Sequence, residues 1–434
     1  MKKKLLTALV VIGLVGVVYN GYRILVPDPA DEVPSRYAAD ESADFGLLET
    51  FALQINAPIV DGNRVTVLEN GDEIFPAMLD AIRSADGSVD LLTYVYWSGP
   101  IAREFADALA AADERGAEVR VILDAFGASK MPVEVLARMQ DGGVDVAWFH
   151  PIRWYNLNRL NHRTHRKVMV VDDSIAFTGG VGIAQEWAGD ARNPNEWRDD
   201  HFLIEGPIVR HLAGAFAENW RDATGEVLAQ GVSFARGELS GIDADSSMSP
   251  TAGRIVPVVT SPRGDVSNLA LLYWMVLARA RESVDIVTPY FVPDGSILDA
   301  LAAGAERGLR IRLLLPGPHM DSRLVKLSSA TLLGGLLEAG VEVFEYQPTM
   351  MHQKTVVADG RWSIVGSANF DNRSFELNDE VALLVDDETL AARLIEGIER
   401  DIALSERLEA ERLAERPVWE KLGGWAAMLL REQL

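Results

Sequence analysis

The pattern of hydrophobic and polar positions between residues 70 and 123 predicts helices that alternate with buried strands. A helix is expected to open at Asn70, because apolar residues follow it at helical spacing. The apolar runs Val89 to Trp97 and Val119 to Leu123 are typical of buried strands, and a second helical pattern, Ala102 to Arg115, lies between them. The apolar positions of the first helix are Ile74, Met78, Leu79 and Ile82.

The second half of the chain repeats this order of elements. The segment 88–91 (SVDL) corresponds to 283–286 (SVDI), and 114–116 (ERG) corresponds to 306–308, again ERG. A repeat of strands alternating with helices predicts an α/β fold that is built twice. We therefore expect two tandem α/β/α sandwich lobes related by pseudo-two-fold symmetry.

Composition and the repeat divide the chain into six predicted segments. These are a membrane anchor (1–26), a tether and lead-in (27–64), a first lobe (65–225), a linker (226–253), a second lobe (254–390), and a C-terminal helix with an amphipathic tail (391–434). The C-terminal helix is expected from about Glu388 to Glu415. The aromatic tail from Val418 to Leu430 either packs on the body or touches lipid at an interface.

The amino end predicts a membrane anchor. Lys2, Lys3 and Lys4 precede an apolar run that begins at Leu5 and continues, less purely, to Val26. The charged start fits a signal peptide, but no small-x-small cleavage site follows. Because the run is long enough to cross a bilayer, we expect an uncleaved anchor. The lysines before it and the acidic residues after it predict an amino end inside the cell and a body outside.

Charge and cysteine content exclude some classes of function. The chain has no cysteine, which excludes disulfides, thiolate metal sites and a cysteine nucleophile. Its formal net charge of −23 disfavours nucleic acid as a partner, since a nucleic-acid groove needs clustered cations. Local basic spots exist, most clearly the segment 153–167, but no basic stripe stands out.

One short motif occurs in both halves with its internal spacing intact. The first copy comprises His165, Lys167, Asp172, Gly179 and Gly180, and the second comprises His352, Lys354, Asp359, Gly366 and Ser367. The offset is 187 residues throughout (352 − 165, 359 − 172 and 366 − 179). A lone H-x-K carries little information, but a repeated one predicts a site between the lobes. The segment 152–164, longer than its counterpart, lines a substrate groove or is merely a longer loop, and His162 is expected near the site.

These residue types suit displacement at phosphorus. One histidine attacks and forms a phosphohistidine, while the other protonates the leaving oxygen and later deprotonates the acceptor. The lysines would hold the non-bridging oxygens, and the small residues after each motif would let the backbone approach a phosphate. No metal or cofactor is predicted. Asp172 and Asp359 belong to the catalytic motif but are expected to be architectural, capping the turn after each strand.

The paired H-x-K-x4-D motifs resemble the twin HKD motifs of the phospholipase D superfamily, over nearly the whole chain beyond the anchor. Several other stretches are similar to bacterial cardiolipin synthases: 70–73 with 94–97, 161–163, 197–201 with 205–207, 288–293 and 366–380. The resemblance implies two phospholipase D-like lobes with the active site at their interface. It further implies a phosphatidyltransferase of the bacterial inner membrane that condenses two phosphatidylglycerols into cardiolipin and releases glycerol.

The resemblance also implies roles for individual residues. His165 is expected to be the nucleophile and His352 the acid/base, although the reverse assignment stays open. Asn369 matches a phosphate-binding asparagine. Glu380 matches a carboxylate that orients the second histidine, His352. Asp199 or Asp200 would then serve the first histidine.

The chain departs from the family pattern in two places. Gly182 stands 17 residues after His165, where the second motif has Asn369, so one phosphate contact is missing. Only one hydrophobic amino-terminal segment is present, whereas the commonest cardiolipin synthases carry two. Three alternatives stay open: a hydrolytic phospholipase D with water as acceptor, a nuclease on the same scaffold, and a non-catalytic membrane scaffold.

Overall fold

The structure, a computed structural model, describes residues 46–151, 161–228, 253–262 and 267–428. The predicted anchor, most of the predicted linker and most of the segment 152–164 lie outside these residues. Within the described ranges, no helix is both long enough and apolar enough to span a bilayer.

The first lobe contains eight strands and four of the helices. The strands are β1 (Val60–Glu69), β2 (Ser88–Thr93), β3 (Glu118–Asp124), β4 (Asp145–Phe149), β5 (Arg163–Thr164), β6 (Val168–Val171), β7 (Ile175–Gly179) and β8 (Asp200–Glu205). The helices, after a lead-in helix α1 (Leu47–Ile55), are α2 (Asn70–Ser84), α3 (Pro100–Glu114), α4 (Val133–Asp141) and α5 (Val209–Thr224). A short 3-10 turn covers Gln185–Trp187.

The second lobe repeats this order and adds a C-terminal extension. Its strands are β9 (Gly253–Thr260), β10 (Ser283–Val287), β11 (Phe291–Val292), β12 (Arg310–Pro316), β13 (Glu342–Tyr346), β14 (Thr355–Ala358), β15 (Trp362–Gly366), β16 (Phe370–Asp371), β17 (Asn378–Asp386) and β18 (Ser405–Arg407). Its helices are α6 (Asn268–Arg279), α7 (Gly295–Glu306), α8 (Arg323–Glu338), α9 (Glu388–Ala403), α10 (Ala410–Ala414) and α11 (Val418–Met428). A π-helical turn covers Arg373–Leu377.

A single mixed sheet runs through both lobes. Its order is β18-β13-β12-β10-β14-β15-β17-β9-β1-β8-β7-β6-β2-β3-β4, and β5 pairs with β17 beside this path. β2, β3 and β4 are parallel, as are β10, β12 and β13, while the strands at the centre are antiparallel. The pairing of β1 with β9 joins the two halves. The predicted duplicated α/β architecture is confirmed.

The hydrophobic core lies on both faces of this sheet. Strand residues alternate between the faces, so Met169 packs among α2, α3 and α4 while Val168 faces α5 and α9. The second of these clusters takes side chains from both lobes. One continuous layer of packing therefore fixes the two lobes relative to each other.

Two predicted boundaries differ from the structure. β1 begins at Val60 rather than Val65, and α1 in the predicted lead-in buries Phe51 against the core of the second lobe. The predicted helix from Glu388 to Glu415 is wrong, because α9 ends at Ala403 and β18 follows it. β18 adds an edge strand to β13, which satisfies backbone groups that a continuing helix would leave exposed.

The motif aspartates are architectural, as the sequence indicated, and they do not belong with the catalytic residues. Asp172 accepts hydrogen bonds from the backbone N–H groups of residues 86–88, and Asp359 accepts them from residues 281–283. Both have positive φ (52° and 51°), which aspartate tolerates better than most residues. Each therefore ties the turn after a motif strand to the entry of the neighbouring strand.

Candidate active site

Each motif histidine reaches the site by crossing to the other lobe. The N–H of His165 donates to the carbonyl of Asp379 (2.9 Å), next to the parallel pairing of β5 with β17. In the same way, the N–H of His352 donates to the carbonyl of Arg198 (2.7 Å). Asp379 belongs to the second lobe and Arg198 to the first. The backbone therefore places both histidines at the lobe interface.

The histidines are paired with carboxylates across this interface. Nδ1 of His165 lies 2.7 Å from Oε1 of Glu380, and Nδ1 of His352 lies 2.8 Å from Oδ2 of Asp199. The expected assignment of Glu380 to the second histidine, and of an aspartate near 199 to the first, is wrong. The partners are exchanged because each histidine extends along the carboxylate-bearing strand of the other lobe.

The two carboxylates are themselves held in place by hydrogen bonds. Glu380 accepts hydrogen bonds from the hydroxyls of Ser367 (2.5 Å) and Ser374 (2.9 Å). Asp199 accepts one from the indole N–H of Trp187 (2.8 Å). Since each carboxylate accepts the Nδ1 proton of its histidine, both Nε2 atoms are left with a lone pair for chemistry.

Burial sets the protonation of the site. It raises the pKa of Glu380 to about 7 and that of Asp199 to about 6. Burial, together with the nearby lysine charges, holds the pKa of His165 and of His352 well below the usual range. Both rings are therefore neutral near pH 7, the form in which a histidine can act as a nucleophile.

The motif lysines lie beside the histidines and close to each other. The Nζ of Lys167 donates to the carbonyl of His165 (2.9 Å), and that of Lys354 donates to the carbonyl of His352 (2.8 Å). Burial and, for Lys167, the charge of Lys354 lower the pKa of Lys167 to about 7, and burial lowers that of Lys354 to about 8. An anion bound between them would relieve this cost, so the site is suited to a phosphodiester.

Asn369 has a buried side-chain oxygen that could bind a phosphate-bearing ligand. It is only 5% exposed, and no described residue bonds its side-chain oxygen. Its counterpart Gly182 has no room for a side chain, because an added Cβ would lie 2.6 Å from Cβ of Val95 and 3.3 Å from the Trp187 ring. Val95, together with Trp187, which holds Asp199, thus occupies the space in the first lobe. The missing asparagine is explained by packing.

The small residues after each motif pack against a neighbouring strand. Their amides pair with a neighbouring strand: Gly180 N–H donates to Asp200 and Ser367 N–H to Val381. A Cβ on Gly180 would lie 2.1 Å from Oδ1 of Asp199, and one on Gly179 would lie 2.6 Å from a ring nitrogen of His201. The close approach that these small residues permit is to the segment that carries the carboxylate, and the expected phosphate contacts stay a prediction.

Asp200 does not orient a histidine. Its carboxylate accepts hydrogen bonds from Arg198 (2.6 Å) and from Nε2 of Gln353 (2.6 Å). Gln353 is the motif residue between His352 and Lys354. The corresponding residue of the first motif, Arg166, is buried and donates to the carbonyl of Glu380 (3.3 Å). The middle residue of each motif therefore binds the opposite lobe.

His162 lies near the site, as expected. Its Nε2 is 2.7 Å from Oδ1 of Asp379, the residue whose carbonyl accepts from His165. Asn219 donates to the other oxygen of the same carboxylate (2.6 Å). His162 therefore supports the backbone that positions His165.

Sequence reasoning missed the aromatic wall of the site. The Tyr94 ring lies 5.1 Å from that of His165, and the rings of Trp187, Trp197 and Tyr290 lie 5.2, 5.4 and 6.2 Å from that of His352. Three of them fall in stretches that carried the family resemblance, but no pattern singled out Trp187. Such a wall excludes water and strengthens the electrostatic interactions of the lysines.

The chain matches a family of known proteins. The model of the family "Cardiolipin synthase, PLD-like domain" matches residues 78–217 and 274–402. The probable cardiolipin synthase YwiE of Bacillus subtilis is 33% identical over 363 residues, 83% of this chain and 70% of that protein. Cardiolipin synthase A of Pseudomonas fluorescens (strain SBW25) is 32% identical over 400 residues, 92% of this chain and 81% of that protein.

The fold is similar to that of a solved structure. The phosphatidylserine synthase of Haemophilus influenzae Rd KW20 superposes with a TM-score of 0.68 at 14% sequence identity, covering 89% of this chain and 99% of that one. The chain therefore belongs to the family of cardiolipin synthases with phospholipase D-like domains.

Proposed function

We propose that the protein is a phosphatidyltransferase that makes cardiolipin from two phosphatidylglycerols and releases glycerol. The observation that carries the proposal is the pair of intact histidine–carboxylate contacts that cross the lobe interface, each beside a buried lysine. Relatives named cardiolipin synthases, which match most of the chain, supply the substrate class.

In the first half-reaction, Nε2 of His165 attacks the phosphorus of one phosphatidylglycerol. When the phosphate anion binds, Nε2 of His352 takes up a proton from water. A P–N bond then forms at His165, the bond from phosphorus to the glycerol oxygen breaks, and His352 gives that oxygen this proton. The lysine charges lower the pKa of both histidines, so a bound phosphate anion that offsets those charges favours protonation of His352. Lys167 and Lys354 stabilise the charge on the non-bridging oxygens.

In the second half-reaction, the glycerol hydroxyl of another phosphatidylglycerol is the acceptor. His352 takes the hydroxyl proton as the oxygen attacks phosphorus, and the P–N bond to His165 breaks. Cardiolipin leaves, and both histidines return to their starting state. The burial of both rings (7% and 5% exposed) and the aromatic wall favour a lipid alcohol over water as acceptor.

Product analysis tests this function directly. Detergent-purified full chain is incubated with phosphatidylglycerol, with His165→Ala and His352→Ala beside it and His211→Ala, on α5, as a matched control. We expect cardiolipin and glycerol from the wild type and the control, and from neither motif variant. Phosphatidic acid in place of cardiolipin would show that water is the acceptor. Substantial turnover by either motif variant would contradict the two-histidine mechanism.

The site of action is part of the same proposal. We infer that residues 1–26 anchor the protein in the bacterial inner membrane and that the body faces outward, because lysines precede the apolar run and acidic residues follow it. Protease added to cells stripped of outer barriers is expected to cut the body. Full protection would refute the orientation.

A further inference from the structure

The C-terminal helix α11 turns its apolar face away from the protein. Val418, Trp419, Leu422 and Trp425 are 71%, 59%, 63% and 69% exposed, although their spacing places them along one side of the helix. The buried residues of α11 are Gly424 and Ala427. Burial of the larger apolar side chains would stabilise the fold more, so this orientation is unusual for a helix that only packs on a core.

Close packing fixes this orientation. A Cβ on Gly424 would lie 2.6 Å from Cγ2 of Thr331 and 2.7 Å from the carbonyl oxygen of Leu327, both on α8. Only the glycine face of α11 fits this approach, because a tryptophan there would overlap the backbone of α8. The aromatic face is therefore held outward by the contact itself.

A short path of contacts links this face to the active site. The ring of Tyr290 lies 6.2 Å from that of His352, and its hydroxyl donates to Asp321 (2.9 Å). Arg323 begins α8 two residues later, and its guanidinium lies 5.8 Å from the Trp419 ring. The exposed face thus lies on the same flank of the second lobe as the wall of the site.

A cavity beside α11 combines an apolar lining with positive charges. Its volume is about 270 Å³, and it lies between α8 and the segment 408–420. The lining is largely apolar, with four cations and two carboxylates: Arg412 pairs with Glu345 and Arg416 with Glu420, while Arg323 and Lys326 are the other two cations. Among the described residues, the charged contact of Arg323 is the one with the Trp419 ring, so its charge is available to an anionic headgroup.

We propose that the outward face of α11 rests in the interfacial layer of an anionic phospholipid bilayer, beside the active site. Tryptophan suits this layer, since its ring is apolar while its N–H can stay hydrated. The inference rests on the proposed function, because an enzyme that acts on two bilayer lipids must hold its site against the bilayer. A second copy of the chain or the segment 1–45 are the competing occupants.

The absence of cysteine makes the contact directly measurable. Trp425→Cys in the full chain is labelled with an environment-sensitive fluorophore and reconstituted in phosphatidylglycerol vesicles. Glu306→Cys is the control, because this exposed residue precedes β12 at the end of the strand away from the site. We expect lipids brominated on their acyl chains to quench the label at 425 and not the label at 306.

Two outcomes would overturn the proposal. Equal access of aqueous iodide to both labels in vesicles would show that α11 stays in water. Shielding of the label at 425 without quenching by brominated lipid would instead show a protein occupant. If that shielding depends on protein concentration the occupant is a second copy, and if it does not the occupant is the chain's own amino-terminal segment.

A turnover comparison tests the consequence for function. The combined variant Trp419→Ser, Leu422→Ser and Trp425→Ser is expected to lose about tenfold in turnover on vesicles and to keep wild-type turnover on monomeric short-chain phosphatidylglycerol. Equal turnover on vesicles would contradict the inference. If the wild type makes no cardiolipin but lipid still quenches the label at 425, the proposed function fails and the bilayer contact stands.

Discussion

The exchange of carboxylate partners between the lobes predicts which histidine each carboxylate controls. Glu380→Gln keeps the shape of the side chain and removes its charge. The hydroxyls of Ser367 and Ser374 both donate to Glu380, so an amide there has too few acceptors for its neighbours. An amide N–H facing Nδ1 of His165 would force the ring proton onto Nε2, the atom that attacks phosphorus.

The expected loss of rate in Glu380→Gln follows from the loss of one hydrogen bond, the one between residue 380 and His165. A hydrogen bond to a charged group contributes about 1.5 to 3 kcal/mol. If it is lost only from the transition state, the rate of forming the phosphohistidine falls about 10- to 150-fold. A reversed tautomer extends the loss toward about 10⁴-fold, the size seen for Asp→Asn in a catalytic triad.

Two measurements on Glu380→Gln, with Asp199→Asn as the matched variant, check this reasoning. In single-turnover experiments with labelled phosphatidylglycerol and an alkaline quench, Glu380→Gln is expected to slow formation of the phosphatidyl-enzyme. In carbon-13 spectra of the seven histidine rings, Glu380→Gln is expected to shift His165, and Asp199→Asn is expected to shift His352. A shift of His352 alone in Glu380→Gln would refute the exchanged pairing.

Three further predictions follow from the site. Turnover is expected to fall on the acid side as Glu380 and Asp199, whose pKa burial raises to about 7 and about 6, gain protons. It is expected to fall on the alkaline side as Lys167 and Lys354, whose pKa burial lowers to about 7 and about 8, lose their charge; a pH–rate profile of Lys354→Arg should therefore keep its acid limb and retain an alkaline limb set by Lys167. Asp172→Ala is expected to lower the free energy of unfolding by about 3 kcal/mol in urea titrations, roughly 1 kcal/mol for each of three backbone hydrogen bonds, with turnover per folded molecule unchanged; a folded, inactive variant would contradict this. Gly180→Ala is expected to displace Asp199 and to shift the carbon-13 resonance of His352 while the protein stays folded, and an unshifted resonance would show that the strand yields instead.

The sequence predicted the parts of the site that depend on local pattern. The repeated motif identified the histidines and lysines, and the same repeat predicted the duplicated fold. The architectural role of Asp172 also followed from its position at the end of a strand. Such features can be recognised in a single sequence because one strand and one turn set the spacing of their residues.

The errors all concern contacts between distant segments. His165 faces Glu380 because β5 pairs with β17 of the other lobe, and the spacing of residues along the chain does not predict that pairing. The helix predicted to Glu415 failed for a related reason, since β18 exists only because β13 offers it a free edge. Gly180 is small because Asp199 lies against it, which a local pattern cannot show.

The crossing of the histidines also determines when activity can arise during synthesis. When the first lobe has left the ribosome, His165 is present but Glu380 has yet to be translated. Asp199 is likewise made long before His352. No fragment that ends before residue 380 contains both histidine–carboxylate pairs, so such an unfinished chain lacks the carboxylate of its expected nucleophile, His165. Two separately expressed halves should recover activity only where they dock.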